Sequence, residues 1–405
     1  MSRSPSDTSS VRLASATGVA EVQDALRERG FDAWLIYDFK DRNPIGRSLL
    51  GLEWTTRRGF ALVPAEGSPR LLIHAIEHSS WRHLDWPRRS YSSRQGMERE
   101  LRELLQGYGR VATETSPRSN VPYLDLLPAG IRDVILDTGT ELHSSGDLVS
   151  TFYAVWTPAQ REEHGRASEI VKTVARDAFA RVASHVVQGR RITEGALATW
   201  IRHELRRRGL PDQTDCIVAI GPTAADPHYD PGEVGESINA GDLLLIDLWG
   251  AFHEDSVPAD QTWMGFLGAE LPSRIGELWT TVKAARDGVV ASLRERYARG
   301  ETIRGFEADD VARKIITDAG FGEYFIHRTG HSIDRDIHGR GPNLDNLETR
   351  DDRVLVPGVG FSVEPGIYIA GEVGLRTEIN VHMGPNGPEV TVEKPQQDVF
   401  LLLDG

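Results

Sequence analysis

The chain has 405 residues, 39% of them hydrophobic and 26% charged, with a formal net charge of -14. That length suits two domains of ordinary size, and the composition is that of a folded protein in water. The acidic balance argues against nucleic acid or an anionic membrane as the main partner, because both require a basic face.

Residues 1–10 contain no apolar segment and read as a disordered tail, not a secretory signal. No stretch approaches the roughly 18 apolar residues of a membrane span. From residue 11 to 156, helical and extended signals alternate as in a small α/β domain. Val22, Ala25 and Leu26 mark a helical face that stops at Gly30. Strands are expected at Ala33–Tyr37, Phe60–Val63 and Leu71–Ile73, a helix from Met97 to Gln106, and a further extended run at Val134–Leu136. Trp34, Trp54, Trp81 and Trp86 are expected in core packing. Nothing in this part has the spacing of metal ligands or of a nucleophile.

Thr157 followed by Pro158 is a helix start, and residues 157–405 are read as a second domain. Helices are expected after Thr157 and Thr193, from Ile275 to Tyr297 and from Phe306 to Ala319, with strands and turns between. Cys216, the single cysteine, excludes an internal disulfide framework and suits a reducing cytoplasm; beside Ile217 and Val218 it reads as a small buried residue. Arg206, Arg207 and Arg208 read as a solvated helix terminus.

The C-terminal part carries the chemistry. Asp247 ends the apolar run Leu243–Ile246, Glu364 follows Phe361-Ser362-Val363, and Glu378 leads into Ile379-Asn380-Val381. Carboxylates in such strands must pair or bind metal, because burying an uncompensated charge is costly. Asp247 and Asp260 flank a turn-rich segment holding Gly250 and Pro258, as two strands bringing both acids together would require. His331 stands between Gly330 and Ser332. Four acids and one imidazole in one pocket would be balanced by two divalent cations.

The order Asp247, Asp260, His331, Glu364, Glu378 resembles the metal-dependent peptidases of the pita-bread fold (family M24), which include Xaa-Pro aminopeptidases, Xaa-Pro dipeptidases and methionine aminopeptidases. The resemblance covers about residues 158–405, and residues 11–156 resemble the creatinase-like N-terminal domain of the Xaa-Pro branch. It implies an α+β pita-bread catalytic domain behind a smaller α/β domain, and all five positions as ligands of two metal ions. Oxygen-rich ligands with one imidazole favour Mn²⁺ or Co²⁺, with Zn²⁺ allowed.

The resemblance further makes Glu364 the proton shuttle. His228, in the segment Gly221–Tyr229, and His338 would hydrogen-bond the substrate and its oxyanion, and Arg376 would hold Glu378 or a neighbouring acid. A metal-bridging hydroxide would then cleave the bond before proline in Xaa-Pro dipeptides or Xaa-Pro N-termini, in a cytoplasmic homodimer acting on small peptides.

Three features depart from the family pattern: a longer hairpin between Asp247 and Asp260, Trp263 where arginine is common, and Ser332 and Gly339 in the loops after His331 and His338. A metal-free amidinohydrolase, a small-molecule lyase and a peptide-binding module are the competing readings on this scaffold. His253, His327 and His382 are read as supporting residues.

Overall fold

The computed structural model describes residues 12–403, so the tail expected at residues 1–10 lies outside the described residues. The chain divides into two compact units, one up to Tyr153 and one from Ala154.

In the first unit, a six-stranded sheet is built from β1 (Ala33–Asp38), β2 (Gly59–Pro64), β3 (Arg70–His74), β4 (Arg88–Tyr91), β5 (Arg110–Thr113) and β6 (Glu141–Ser144), in the order β4-β3-β2-β1-β5-β6. Every residue of β1 is buried. Side chains alternate across a strand, so Trp34 and Ile36 enter one core while Ala33, Leu35 and Tyr37 enter the other. The first core is closed by helices α1 (Ala16–Arg29), α2 (Pro44–Leu50) and α5 (Gly146–Phe152), the second by α3 (Arg94–Leu105) and α4 (Ala129–Leu136).

Two expectations fail here. Val134–Leu136 is the end of α4, not a strand. Its β-branched residues suggested extension, but Ile131 and Ile135 lie one helical turn apart and fill the core together. Trp34 and Trp81 are buried and Trp86 packs partly against the same core, whereas Trp54 is 55% exposed.

The second unit begins with α6 (Pro158–Val187), opened by Thr157 in a capping box with Gln160, and α7 (Glu194–Arg207), capped by Thr193. These helices pack on a sheet of β7 (Asp212–Ile220), β8 (Leu243–Ala251), β9 (Ala259–Phe266) and, at the far end of the chain, β16 (Phe400–Leu401). Helices α8 (Ser273–Ala298) and α9 (Gly305–Asp318) follow. A second sheet has the order β10-β11-β14-β15, from Ser332–Ile333, Gly360–Val363, Ile379–Gly384 and Gly387–Val390. Between β11 and β14 the chain makes the hairpin β12 (Gly366–Ile369) and β13 (Val373–Arg376). Cys216 is buried in β7, as expected. Arginines at the end of α7 are held by acids: Arg207 by Glu204, and Arg208 by Asp177 and Glu204.

Candidate metal centre

Register brings the acids together. In the antiparallel pair β8–β9, Asp247 faces Thr262 and Trp249 faces Asp260. Opposed residues share a face and the period is two, so Asp247, Asp260 and Thr262 stand on the same side. The long hairpin asked for by the spacing is the segment 252–258 between these strands. In the second sheet Gly360 faces His382 and Val363 faces Ile379, so the next positions in the same register are Glu364 and Glu378. His331 is tied to the same strand: its carbonyl accepts from the Ser362 N–H at 2.9 Å, and the Glu364 N–H donates to the Thr329 carbonyl at 2.8 Å. The two sheets meet where the Glu378 N–H reaches the Thr262 carbonyl and the Asp260 N–H donates to Asn380 Oδ1 at 2.8 Å.

Ligand atoms of Asp260, His331 and Glu378 all lie within 4.8 Å of one another, and all three residues are buried. His331 Nε2 is 3.5 Å from Asp260 Oδ2 and 3.4 Å from Glu364 Oε1. Its Nδ1 lies 3.2 Å from the Ser332 carbonyl, which fixes the proton there and turns the Nε2 lone pair toward the acids. Ser362 Oγ accepts from the His331 N–H and donates to Glu364 Oε1, each at 2.9 Å. Arg376 donates to Asp247 Oδ2 at 2.5 Å and to Thr262 Oγ1 at 3.0 Å, and Thr262 in turn donates to Glu378 Oε2 at 2.8 Å. Arg376 therefore holds a neighbouring acid, Asp247, and reaches Glu378 through Thr262.

The charge balance differs from the sequence reading in one respect. Four carboxylates face one buried guanidinium, so three negative charges, not four, await compensation. Burial pushes Asp247 up to about 7 despite Arg376 beside it, and burial with Glu364 nearby pushes Asp260 up to about 8. Glu378 is raised well above the carboxylate range by burial and by Asp260, Glu364 and Asp247. For Glu364 burial also acts upward, but His331, His327 and Arg376 together outweigh it and hold the carboxyl low.

Asp247 Oδ1, Asp260 Oδ1 and Glu378 Oε1 are all buried and have no hydrogen-bond partner among the described residues. Buried carboxylate oxygens are normally satisfied. Three orphaned oxygens beside one imidazole nitrogen form an oxygen-rich donor set that fits divalent cations.

The remaining expected residues lie around this cluster. The His338 ring packs edge-on against the His331 ring, with centroids 4.5 Å apart. Burial, then His331 and Arg328, push the His338 imidazole down to about 4. His228 is exposed, on the segment after β7. The buried Glu194 gathers that segment: Oε1 accepts from the Ile220 N–H and Thr223 Oγ1, and Oε2 from Tyr229 OH and the Glu236 N–H. His327 bonds Tyr368 OH at 2.8 Å, and that hydroxyl also lies 3.4 Å from Arg376. His382 stacks on Trp156, and His253 is exposed. Trp263 is buried, donates to Gln261 Oε1 at 3.0 Å and stacks on Phe400, so it packs away as an apolar residue.

The sequence reading passed over Thr262, Ser362 and Asn380. Each lies two residues along a strand from an acid and therefore on the same face, which is the signal that would have found them.

The model of metallopeptidase family M24 matches residues 162–385, more than half of the chain and the whole of this site. The chain belongs to metallopeptidase family M24. Among curated proteins it is 34% identical over 189 residues to an Xaa-Pro dipeptidase of Lactobacillus delbrueckii subsp. lactis, covering 46% of this chain and 47% of that one. It is 33% identical over 199 residues to the probable dipeptidase PepE of Mycobacterium tuberculosis H37Rv, covering 49% of each. The matches thus span about half the length of these curated relatives.

Among solved structures, the dipeptidase PepE of Mycobacterium ulcerans superposes with a TM-score of 0.73 at 24% identity over 98% of this chain and 99% of that one. The Xaa-Pro dipeptidase of Bacillus anthracis gives 0.61 at 22% over 96% and 100%. These likenesses give the fold: a smaller α/β unit followed along the chain by an α+β pita-bread unit, as expected from the sequence.

Proposed function

We propose that this protein is a dinuclear metal-dependent exopeptidase that hydrolyses the bond before proline in Xaa-Pro dipeptides or at Xaa-Pro N-termini of peptides. The observation that carries the proposal is the set of three buried, partnerless oxygens on Asp247, Asp260 and Glu378 around His331. The relatives named Xaa-Pro dipeptidase support the substrate class.

Asp247, Asp260, His331, Glu364 and Glu378 would hold two divalent ions, with Mn²⁺ or Co²⁺ suited to the donor set and Zn²⁺ allowed. Such ions supply Lewis-acid polarisation of the scissile carbonyl and activation of water for attack at neutral pH. Glu364, oriented by the hydrogen bond from Ser362 Oγ to its Oε1, would take the proton from the attacking water and return it to the leaving nitrogen. Arg376 keeps Asp247 oriented, so that one of its oxygens is spoken for and the other is free to ligate. His228 and His338 hydrogen-bond the substrate and the oxygen on which charge develops. An Xaa-Pro amide carries no N–H, so a site that grips the chain terminus suits it better than one that pairs the peptide as a strand. A homodimer in the cytoplasm belongs to the same reading.

The test is metal-dependent turnover. Protein stripped by chelator and re-supplied with Mn²⁺ or Co²⁺ regains hydrolysis of Xaa-Pro dipeptides or Xaa-Pro-Xaa peptides. No turnover of any such peptide with either ion overturns the proposal.

A further inference from the structure

Gln213, at the start of β7, is a non-glycine residue with φ 46°, in the left-handed region. The register between β7 and β8 shifts between Asp212 and Asp215, so Gln213 sits in an irregularity of the strand. Asparagine tolerates such a backbone through its short side chain, but glutamine has no such relief. Strain of this kind persists only where the surroundings hold it, and it points to a task for the side chain.

The task is visible in its contacts. Gln213 Nε2 donates to the Arg335 carbonyl at 2.6 Å, and Gln213 Oε1 accepts from the Ile337 N–H at 2.9 Å. Only one orientation of the amide satisfies both bonds. One side chain thus pairs with alternate residues of the loop, as the edge of a neighbouring strand would. The next residue is His338. On its far side the Gly339 N–H donates to the Ser332 carbonyl at 2.7 Å. Asp334 closes the loop from within, taking the Asp336 N–H at 2.9 Å and the Arg340 N–H at 2.7 Å. His338 therefore hangs between two backbone anchors, and the one before it is supplied by Gln213.

We propose that Gln213 is a positioning residue for His338, holding the loop so that the imidazole meets the edge of the His331 site. The proposal rests on the role given to His338 above.

The variant Gln213→Gly removes both bonds and at the same time relieves the positive φ. Its thermal midpoint should hold or rise, while kcat on an Xaa-Pro dipeptide falls about ten-fold or more, with metal content unchanged and KM little altered. Gln213→Glu keeps the acceptor for Ile337 but sets a carboxylate against the Arg335 carbonyl, and its kcat should fall between the two. In a His338→Ala background, Gln213→Gly should cost nothing further. Hydrogen exchange at the Ile337 amide reads the geometry without any turnover, and its protection should be lost in Gln213→Gly.

Full kcat in Gln213→Gly, an equal further loss in the His338→Ala background, or unchanged protection at Ile337 each overturns the proposal while leaving the peptidase reading intact. If His338→Ala itself leaves kcat unaltered, the role given to His338 fails, and the function of Gln213 falls with it.

Discussion

Both units bury carboxylates, and they treat them in opposite ways. In the N-terminal unit, Glu114 accepts from Trp34 Nε1 at 2.7 Å, Asn43 Nδ2 at 2.9 Å and Ser145 Oγ at 3.1 Å. Burial raises its pKa, those donors oppose the rise, and both oxygens are engaged. In the C-terminal unit, Asp247, Asp260 and Glu378 are buried as well, but each keeps one oxygen with no partner among the described residues. A buried acid is therefore not in itself a site. What separates a structural carboxylate from a ligating one is whether the protein has used up its lone pairs.

The comparison can be broken most severely at Glu364. Glu364→Gln should lower kcat by about 10²–10⁴-fold, the range of general acid–base catalysis, with the thermal midpoint nearly unchanged. Activity within about ten-fold of the parent would remove Glu364 from proton transfer.

Glu114→Ala tests the other side. It strands three buried donors, which should cost about 3 kcal/mol in denaturant unfolding while kcat per folded molecule stays constant. A loss below about 1 kcal/mol would show that Glu114 is not the structural hub its bonds suggest.

Glu378→Gln sharpens the contrast because its sign is reversed. In metal-free protein it removes an acid that burial and the neighbouring Asp260, Glu364 and Asp247 hold toward its protonated form, which folding must otherwise neutralise, and should stabilise by about 2 kcal/mol. The same variant should bind less metal per chain. A destabilised metal-free variant would mean that the cluster is satisfied without ions.

The sequence made the acids of the site legible and left their supports hidden, for a physical reason. Asp247, Glu364 and Glu378 interrupt apolar strands, where an ion is so costly that its presence demands an explanation. Thr262 faces Asp247 from the neighbouring strand, and Ser362 and Asn380 lie in the strands that Glu364 follows and Glu378 precedes, but a neutral polar residue there is cheap once bonded, and it raises no alarm. Gln213 was out of reach altogether, since its bond to Arg335 spans 122 positions and depends on a backbone conformation that glutamine does not announce.

The fold was legible on the same terms. Capped helices such as α6 follow from the reciprocal bonds between Thr157 and Gln160, with Pro158 pre-setting the first helical position. Val134–Leu136 was misjudged because a short apolar run has no period of its own, and packing of Ile131 with Ile135 decided its state.

The smallest effect, taken per pH unit, concerns a satisfied group inside the C-terminal unit. His164 is buried beneath Trp156, with Nδ1 3.1 Å from the Pro258 carbonyl and Nε2 2.9 Å from Thr391 Oγ1. Burial lowers its pKa to about 4, so the folded protein keeps this ring neutral where the unfolded chain would protonate it. The unfolded state therefore binds more protons between about pH 6.5 and pH 4, and stability falls as pH falls through that window. Above pH 6.5 the contribution is complete; below pH 4 both states are protonated and the loss stops growing.

One proton gives a slope of at most about 1.4 kcal/mol per pH unit. Comparing His164→Gln with the parent by denaturant unfolding at several pH values isolates this slope from that of the carboxylates. The variant should be the less pH-sensitive of the two across that window. Parallel profiles would mean that His164 takes its proton without leaving its place, and that satisfied burial in this unit is softer than at Glu114.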